Sequence, residues 1–266
     1  MKIYLSVVII TYNEERNIGR CIDSVIDIVD EIVVVDSYSN DKTKEICLKK
    51  GVRFIEHEFE GHIQQKNYAI TRASYPHILS LDADEAPDEN LRESIKMVKN
   101  NFDADGYTMN RLTNYCGHWV KYCGWYPDKK LRLWDSRKGR WGGLNPHDKY
   151  EMDKDSVIKH LPGNLLHYSY YTRQDHINQI RKFTDILAQS MYVAGRRTSW
   201  LGIIPATVFK FFRDYFLKLG FLDGKAGFNI SWLSAGASYK KYRKLLLLQK
   251  NKKRMIELII QKQNEQ

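Results

Sequence analysis

Asp82 and Asp84, parted by Ala83 and followed by Glu85, place carboxylates two positions apart directly after the apolar residues Ile78, Leu79 and Leu81. Such a run reads as a buried strand whose end opens into a cleft. Alternation along an extended chain turns Asp82 and Asp84 to the same side and Ala83 away. Two carboxylates that close repel and shift each other's pKa. A divalent cation removes that repulsion. All-oxygen ligands suit Mg2+ or Mn2+, ions that also hold substrate phosphates. The competing reading is a solvated turn, because Asp clusters often begin loops. Asp103, Ala104 and Asp105 repeat the same three letters. That copy follows the polar stretch Lys99–Phe102 and precedes a strand, so a surface turn is expected there.

The elements that must position Asp82 and Asp84 come in a regular alternation. Leu5–Ile10 is a continuous apolar, β-branched run, as expected of a strand covered on both faces. Ile18, Cys21, Ile22, Val25 and Ile26 repeat at helical spacing within 17–29. Glu31–Val35 is a second strand ending at Asp36. Lys42–Lys50 is a helix stopped by Gly51, and Val52–Glu56 is a third strand. Gln64–Ala73 is helical, and Ile78–Leu81 is the fourth strand. This rhythm predicts an α/β, Rossmann-like, mostly parallel sheet with helices on both faces. Sheets of that kind bind ligands at the carboxyl ends of their strands. The polar groups Thr11–Glu14 and Asp36–Ser39 lie at two of those ends. No GxGxxG follows the first strand, which argues against a dinucleotide oxidoreductase.

Downstream, the spacing predicts a helix over Asn90–Val98 and strands at Gly106–Leu112, Lys130–Trp134, Val157–His160 and Leu165–Tyr168. Gln174–Val193 reads as a helix. Gly142–His147 is glycine-rich and reads as a mobile loop. Tyr115–Tyr126 is rich in aromatic residues. Trp125 and Tyr126 there suit either a sugar-stacking acceptor platform or ordinary core packing. Beyond residue 195, Trp200–Leu222 mixes Phe and Leu with Lys210, Arg213 and Lys218. Tyr239–Gln261 is helical and strongly basic, from Lys240, Lys241, Arg243 and Lys244 to Lys250, Lys252, Lys253 and Arg254. Those two stretches suit a helix in a bilayer interface with cations reaching anionic headgroups; the alternative is a helix packed over the catalytic domain.

A net charge of +10 over 266 residues favours a polyanionic partner, without choosing between nucleic acid, an anionic membrane and a phosphorylated substrate. No nucleic-acid motif accompanies the basic residues, so no nucleic-acid partner is expected. Cys21 and Cys47 fall on apolar helix faces, Cys116 and Cys123 are not a CxxC pair, and no zinc spacing appears. Reduced thiols and the cytosol are expected. The apolar start, Met1–Ile10, runs into a polar turn and reads as a strand, not a signal peptide. No stretch reaches the roughly 18–20 apolar residues of a membrane span.

With these pieces in order, the chain resembles family 2 glycosyltransferases of the GT-A fold. The matching marks are Ser6–Glu14, Val34–Ser37 with Asp41–Thr43, and Leu81–Glu85. Asn110–Gly117, Gly124–Asp128 and Asn145–Asp148 resemble the branch containing lipopolysaccharide inner-core β-glucosyltransferases that modify heptose. The resemblance runs from Leu5 to about Lys244. It implies a GT-A domain over 1–195, with a nucleotide-sugar half (1–105) and an acceptor half (106–195), and a helical, basic C-terminal extension over 196–266. It further implies that Thr11, Tyr12 and Glu14 meet the nucleoside, Asp36 accepts from the uracil ring, and Lys66 meets the diphosphate. Asp82 would approach the ribose and the metal, Asp84 would hold the metal, and His167 falls where many relatives place a further metal ligand or phosphate contact. A His after two Leu is also a common core residue. The implied partners are a UDP-sugar donor, a lipid-linked saccharide acceptor and the anionic inner face of the cell membrane.

The implied chemistry is a single displacement at an anomeric carbon, with charge leaving on the diphosphate and the configuration inverting. A divalent metal, Mg2+ or Mn2+, would stabilise the leaving oxygens, and a carboxylate must take the acceptor's proton. Asp148, where relatives carry a His-Glu or similar acidic pair, is the first choice of base; Asp128 is second. Either could instead cap a turn. Two rival functions stand beside this one: a polyprenyl-phosphate sugar transferase of the same fold, and a non-catalytic basic binding module.

Overall fold

The computed structural model of the chain describes residues 1–144 and 147–264; side chains are described as far as residue 251, except at Leu144 and His147. It divides into two compact units, one of Met1–Thr113 with Pro127–Ser169 and one of Asn114–Tyr126 with Tyr170–Gln266. In chain order the regular elements begin with β1 (Leu5–Thr11), α1 (Ile18–Asp23), β2 (Glu31–Asp36), α2 (Thr43–Lys49), β3 (Arg53–Glu56) and α3 (His62–Arg72). There follow β4 (His77–Asp82), β5 (Glu85–Pro87), α4 (Glu89–Asn100), β6 (Gly106–Tyr115), β7 (His118–Trp119) and β8 (Asp128–Asp135). The remainder is β9 (Gly139–Leu144), β10 (His147–Met152), β11 (Ile158–Tyr170), α5 (Arg173–Val193), α6 (Trp200–Phe212) and α7 (Gly224–Asn264).

The first unit is built on a mixed sheet in the order β3-β2-β1-β4-β8-β6-β11-β5. The first four strands are parallel, and β8 then pairs antiparallel with both β4 and β6. The α/β class expected from the alternating pattern therefore holds, with an antiparallel half added to the parallel one. The unbroken apolar run of β1 follows from burial on both faces. Leu5, Val7 and Ile9 pack with Ile18 and Ile22 of α1 and Leu91 and Ile95 of α4. Val8 joins Val33, Val35, Ala69, Trp134 and Trp141 on the other face. Each such side chain stabilises the fold by roughly 1.5–3 kcal/mol when fully buried. Asp88 caps α4 by accepting from the Leu91 amide at 2.8 Å.

Three local expectations are corrected, and one element is added. The helix expected over 17–29 is regular only across Ile18–Asp23, and the apolar residues Val25 and Ile28 are buried from turns beyond it. The two short strands at 157–160 and 165–168 are one strand, β11. Glu85–Pro87, for which no element was expected, is a short strand against Leu165–His167. The loop expected at Gly142–His147 is largely a hairpin, β9 paired with β10; Asn145 and Pro146 lie outside the described residues. Its glycines serve close approach and not looseness, since a Cβ on Gly139 would collide with the Glu151 carbonyl oxygen. Aromatic packing holds this hairpin, with Tyr150 stacked on Trp134 at 3.9 Å and Trp141 edge-on to Trp134 at 5.6 Å.

The second unit is mainly helical. Its core gathers Tyr115, Val120, Cys123, Tyr170 and Ile230. Thr172 and Asp175 form a capping box at the start of α5. The buried stripe His176, Ile180, Thr184 and Ala188 recurs every fourth residue, and α5 packs on α7. Helix α5 falls in this second unit together with the helices that follow it. The expected basic helix is the later part of a longer one, α7. Of its cations, the side chains of Lys252, Lys253 and Arg254 lie outside those described. Cys21, Cys47, Cys116 and Cys123 are all free thiols. Among the described residues no helix is long and apolar enough to cross a membrane.

Candidate active site

Three adjacent parallel strands end together. Thr11 of β1 is in register with Asp36 of β2, and Ile10 of β1 with Asp82 of β4. The loops after β1 and β2 are then laced to each other. Asn13 donates its amide to Ser39 Oγ and accepts from the Asn40 amide, while the Glu14 amide donates to Thr43 Oγ1 at 2.8 Å. Asn13 at φ 54° and Tyr38 at φ 59° occupy the left-handed region that this tight lacing requires. Asp36 is buried, and its two oxygens take the Ser39 amide and hydroxyl at 2.7 and 2.5 Å, which leaves lone pairs for a further donor. Thr11 Oγ1 is buried without a hydrogen-bond partner, while the Tyr12 ring is 59% exposed. Burial pushes the Glu14 carboxyl up to about 6; Asn17 opposes that shift and the charges of Asp84, Asp41 and Asp82 add to it.

Asp82 is the centre of an ion network. Its Oδ1 lies 3.0 Å from Lys66 Nζ and its Oδ2 2.7 Å from Arg132 Nη2. Burial works to raise its pKa, but Arg132 and Lys66 outweigh burial and hold it well below the usual carboxylate range. The same Arg132 nitrogen lies 2.7 Å from Glu85 Oε1, and Glu85 Oε2 accepts from the Asp82 amide at 3.0 Å. Lys66 also reaches Asp148 Oδ2 at 2.8 Å and stands 4.4 Å from the Trp141 ring centre. Thus Asp82, Lys66 and Asp148 meet although 82 residues separate Lys66 from Asp148.

Asp84 sits in the turn after β4. The Ala83 side chain between the two aspartates is buried in the core, but the strand ends at Asp82 and the chain turns at Ala83 and Asp84, so the extended alternation expected across the motif stops at Asp82. Asp84 Oδ2 lies 3.1 Å from His167 Nε2, and the Asp84 carbonyl accepts from the Tyr168 amide. Burial opposes the charged form of His167, but the Asp84 carboxylate prevails and raises its pKa. One carboxylate oxygen from the turn and one imidazole nitrogen from β11 thus face each other directly as an ion pair. Among the described residues no group of three or more His, Cys, Asp or Glu is arranged to hold a metal ion.

Asp128 is placed differently. Its Oδ2 takes Arg111 Nε and Nη2 at 3.0 and 2.8 Å, and its Oδ1 lies 3.1 Å from Lys130. Trp125 and Tyr126 belong to the helical unit. Trp125 is half-buried against Tyr115, Tyr170 and His176, with ring centres 5.8–6.1 Å apart.

A sequence profile of glycosyl transferase family 2 matches residues 6–154, more than half of the chain. The chain belongs to glycosyl transferase family 2. Relatives cover nearly all of it. An uncharacterised glycosyltransferase of Rickettsia typhi is 27% identical over 91% of this chain and 86% of its own length. The lipopolysaccharide core biosynthesis glycosyltransferase LpsC of Rhizobium meliloti is 27% identical over 91% of this chain and 94% of its own length. Among solved structures, S. aureus TarS aligns with a TM-score of 0.45 at 16% identity over 88% of this chain, which spans 48% of the TarS chain.

In this family 2 transferase, Arg132 escaped the sequence reading, and Glu85 was named there without a role. Arg132 and Glu85 are buried and both engage Asp82, Arg132 at its carboxylate and Glu85 at its backbone amide. Arg132 had a signal, a charge inside the apolar stretch Leu131–Trp134. Glu85 had none beyond its neighbours, because a strand of three residues has no period to read.

Proposed function

We propose that this family 2 transferase is an inverting, metal-dependent enzyme. It moves a sugar, glucose first among candidates, from a UDP-sugar to an inner-core sugar of lipopolysaccharide. The observation that carries the reading is the chain of contacts Asp82–Lys66–Asp148 at the carboxyl ends of the parallel strands. Similarity to LpsC along almost the whole chain supports the acceptor class. The similarity to a dolichyl-phosphate hexose transferase of Haloferax volcanii covers only 37% of the chain, which makes the polyprenyl-phosphate reading the weaker one.

In this mechanism Thr11, Tyr12, Glu14 and Asp36 receive the nucleoside at the ends of β1 and β2. The Thr11 hydroxyl is a buried polar group in need of a partner there. Lys66 supplies positive charge to the diphosphate while its neighbour Asp82 orients it. Asp84 and His167 would hold a divalent ion, which when bound neutralises charge on the departing phosphate oxygens. Asp148 takes the proton from the acceptor hydroxyl as the new oxygen–carbon bond forms and the bond to the diphosphate breaks. Lys66 Nζ lies 2.8 Å from that carboxylate and so helps to position it. Trp125 and Tyr126 are the proposed acceptor contacts.

The enzyme would work at the inner face of the cell membrane, where a lipid-linked acceptor is presented. The test is incubation with a panel of UDP-sugars and truncated lipopolysaccharide, followed by mass and linkage analysis. One inverted, added hexose is expected. UDP-sugar turnover that modifies only a polyprenyl phosphate would transfer the assignment to the rival class.

A further inference from the structure

The segment from Arg196 to Asn251 contains two acidic residues, Asp214 and Asp223. Both are buried. Asp214 is neutralised by Lys210 at 2.6 Å and Arg213 at 2.9 Å. Asp223 accepts from the amides of Lys121 and Tyr122 and faces His118 Nε2 at 2.9 Å. Negative charge is thus withdrawn from this surface, whereas Arg196, Arg197, Lys218, Lys225 and Lys240 are exposed on it. Charge of one sign at the surface selects an anionic partner.

The same segment also exposes many large apolar side chains. Helix α6 buries Ile203 completely and turns Leu201, Ile204, Val208 and Phe212 outward, 88%, 54%, 63% and 47% exposed. Their spacing of three and four puts them on one stripe. Trp200 and Trp232 are also about half exposed, and Trp232 stacks on Phe228 at 6.2 Å. A soluble surface seldom carries so many large apolar groups together, and Trp beside Lys and Arg is the composition of a membrane–water boundary. Helix α6 has 13 residues, about 20 Å, and among the described residues no helix is long and apolar enough to cross a membrane.

We infer that the exposed stripe of α6, with Trp200 and Trp232, inserts into an anionic lipid bilayer while the surrounding cations contact headgroup phosphates. Contact through the basic part of α7 alone would be screened by salt; an inserted apolar stripe is not. The inference deepens the lipid-linked acceptor reading, yet its test requires no sugar transfer, so either can fail without the other.

The experiment is flotation of the full chain with phosphatidylglycerol-containing and with purely phosphatidylcholine vesicles, at low and high salt. Trp emission is recorded throughout. Binding should favour the anionic vesicles, persist in part at high salt, and shift the emission to the blue. Trp200→Phe with Trp232→Phe should remove that shift. Leu201→Asp with Val208→Asp should weaken partition by about tenfold or more, with the thermal midpoint unchanged because both sites are exposed. Absence of vesicle binding would overturn the inference. So would binding that high salt abolishes and Leu201→Asp with Val208→Asp leaves intact, or self-association that these changes abolish while vesicles stay unbound.

Discussion

Lys66 of α3 and Asp148 of β10 form an ion pair at 2.8 Å, so the proposed base is held by the residue proposed to meet the donor's diphosphate. Asp148→Asn keeps the shape and removes the proton acceptor. It should leave UDP binding within a few-fold and lower kcat by roughly 10²–10⁴-fold. Calorimetric UDP titration beside steady-state kinetics measures both. Asp128→Asn should retain most turnover, since Asp128 is engaged by Arg111 and Lys130. A dead Asp128→Asn beside an active Asp148→Asn would exchange the two roles.

Asp84→Ala should abolish transfer and Mn2+ or Mg2+ dependence while the fold persists, because Asp84 sits in a turn with His167 as its ion-pair partner. The repeat of the motif supplies a control. Asp105 Oδ2 accepts from the Val157 amide, so Asp105→Ala should cost on the order of 1 kcal/mol of stability and leave kcat unchanged. Urea unfolding and kinetics on the two variants separate the cases. Metal-dependent turnover by Asp84→Ala would remove the metal assignment.

Arg132→Met should be severe for stability. It leaves the buried Glu85 carboxylate without the cation it shares with the part-exposed Asp82, which keeps Lys66, a loss of roughly 3 kcal/mol. The midpoint of urea unfolding should fall accordingly. Adding Glu85→Gln should recover part of the loss, since one uncompensated charge is then gone; no recovery would mean the two residues are not coupled.

His176 of α5 is packed among the rings of Tyr115, Trp125 and Tyr170, and burial pushes its pKa down to about 4. The unfolded chain takes up a proton below about 6.5, which the native state refuses until about 4. Stability should therefore decline as pH falls through that window and level off beneath it, by on the order of 2–3 kcal/mol. His176→Phe keeps the aromatic packing and removes the titration. The difference between the wild-type and His176→Phe stability curves should be flat above pH 6.5 and slope only within the window. Parallel curves would mean that His176 does not titrate differently on unfolding.

The parallel half of the sheet and its polar strand ends were readable because their causes are local. Leu5–Ile10, Glu31–Asp36 and His77–Asp82 each carry an apolar run and a polar stop, and strands of that kind must be covered on both faces with their ends open. The two aspartates around Ala83 were readable for the same reason. What only the tertiary structure decided is pairing across distance. Arg132 lies 50 residues from Asp82, and Lys66 lies 82 from Asp148; no periodicity encodes which charge will meet which. Gly142–His147 looks like a loop by composition, yet Gly142 and Gly143 fall in strand β9 because β10 pairs with it and Trp134 and Tyr150 pack on the hairpin. The exposed stripe of α6 follows the same rule. Its apolar content stands in the sequence, but which side faces outward was settled by packing, which buries Ile203 and leaves Leu201 and Val208 in contact with solvent.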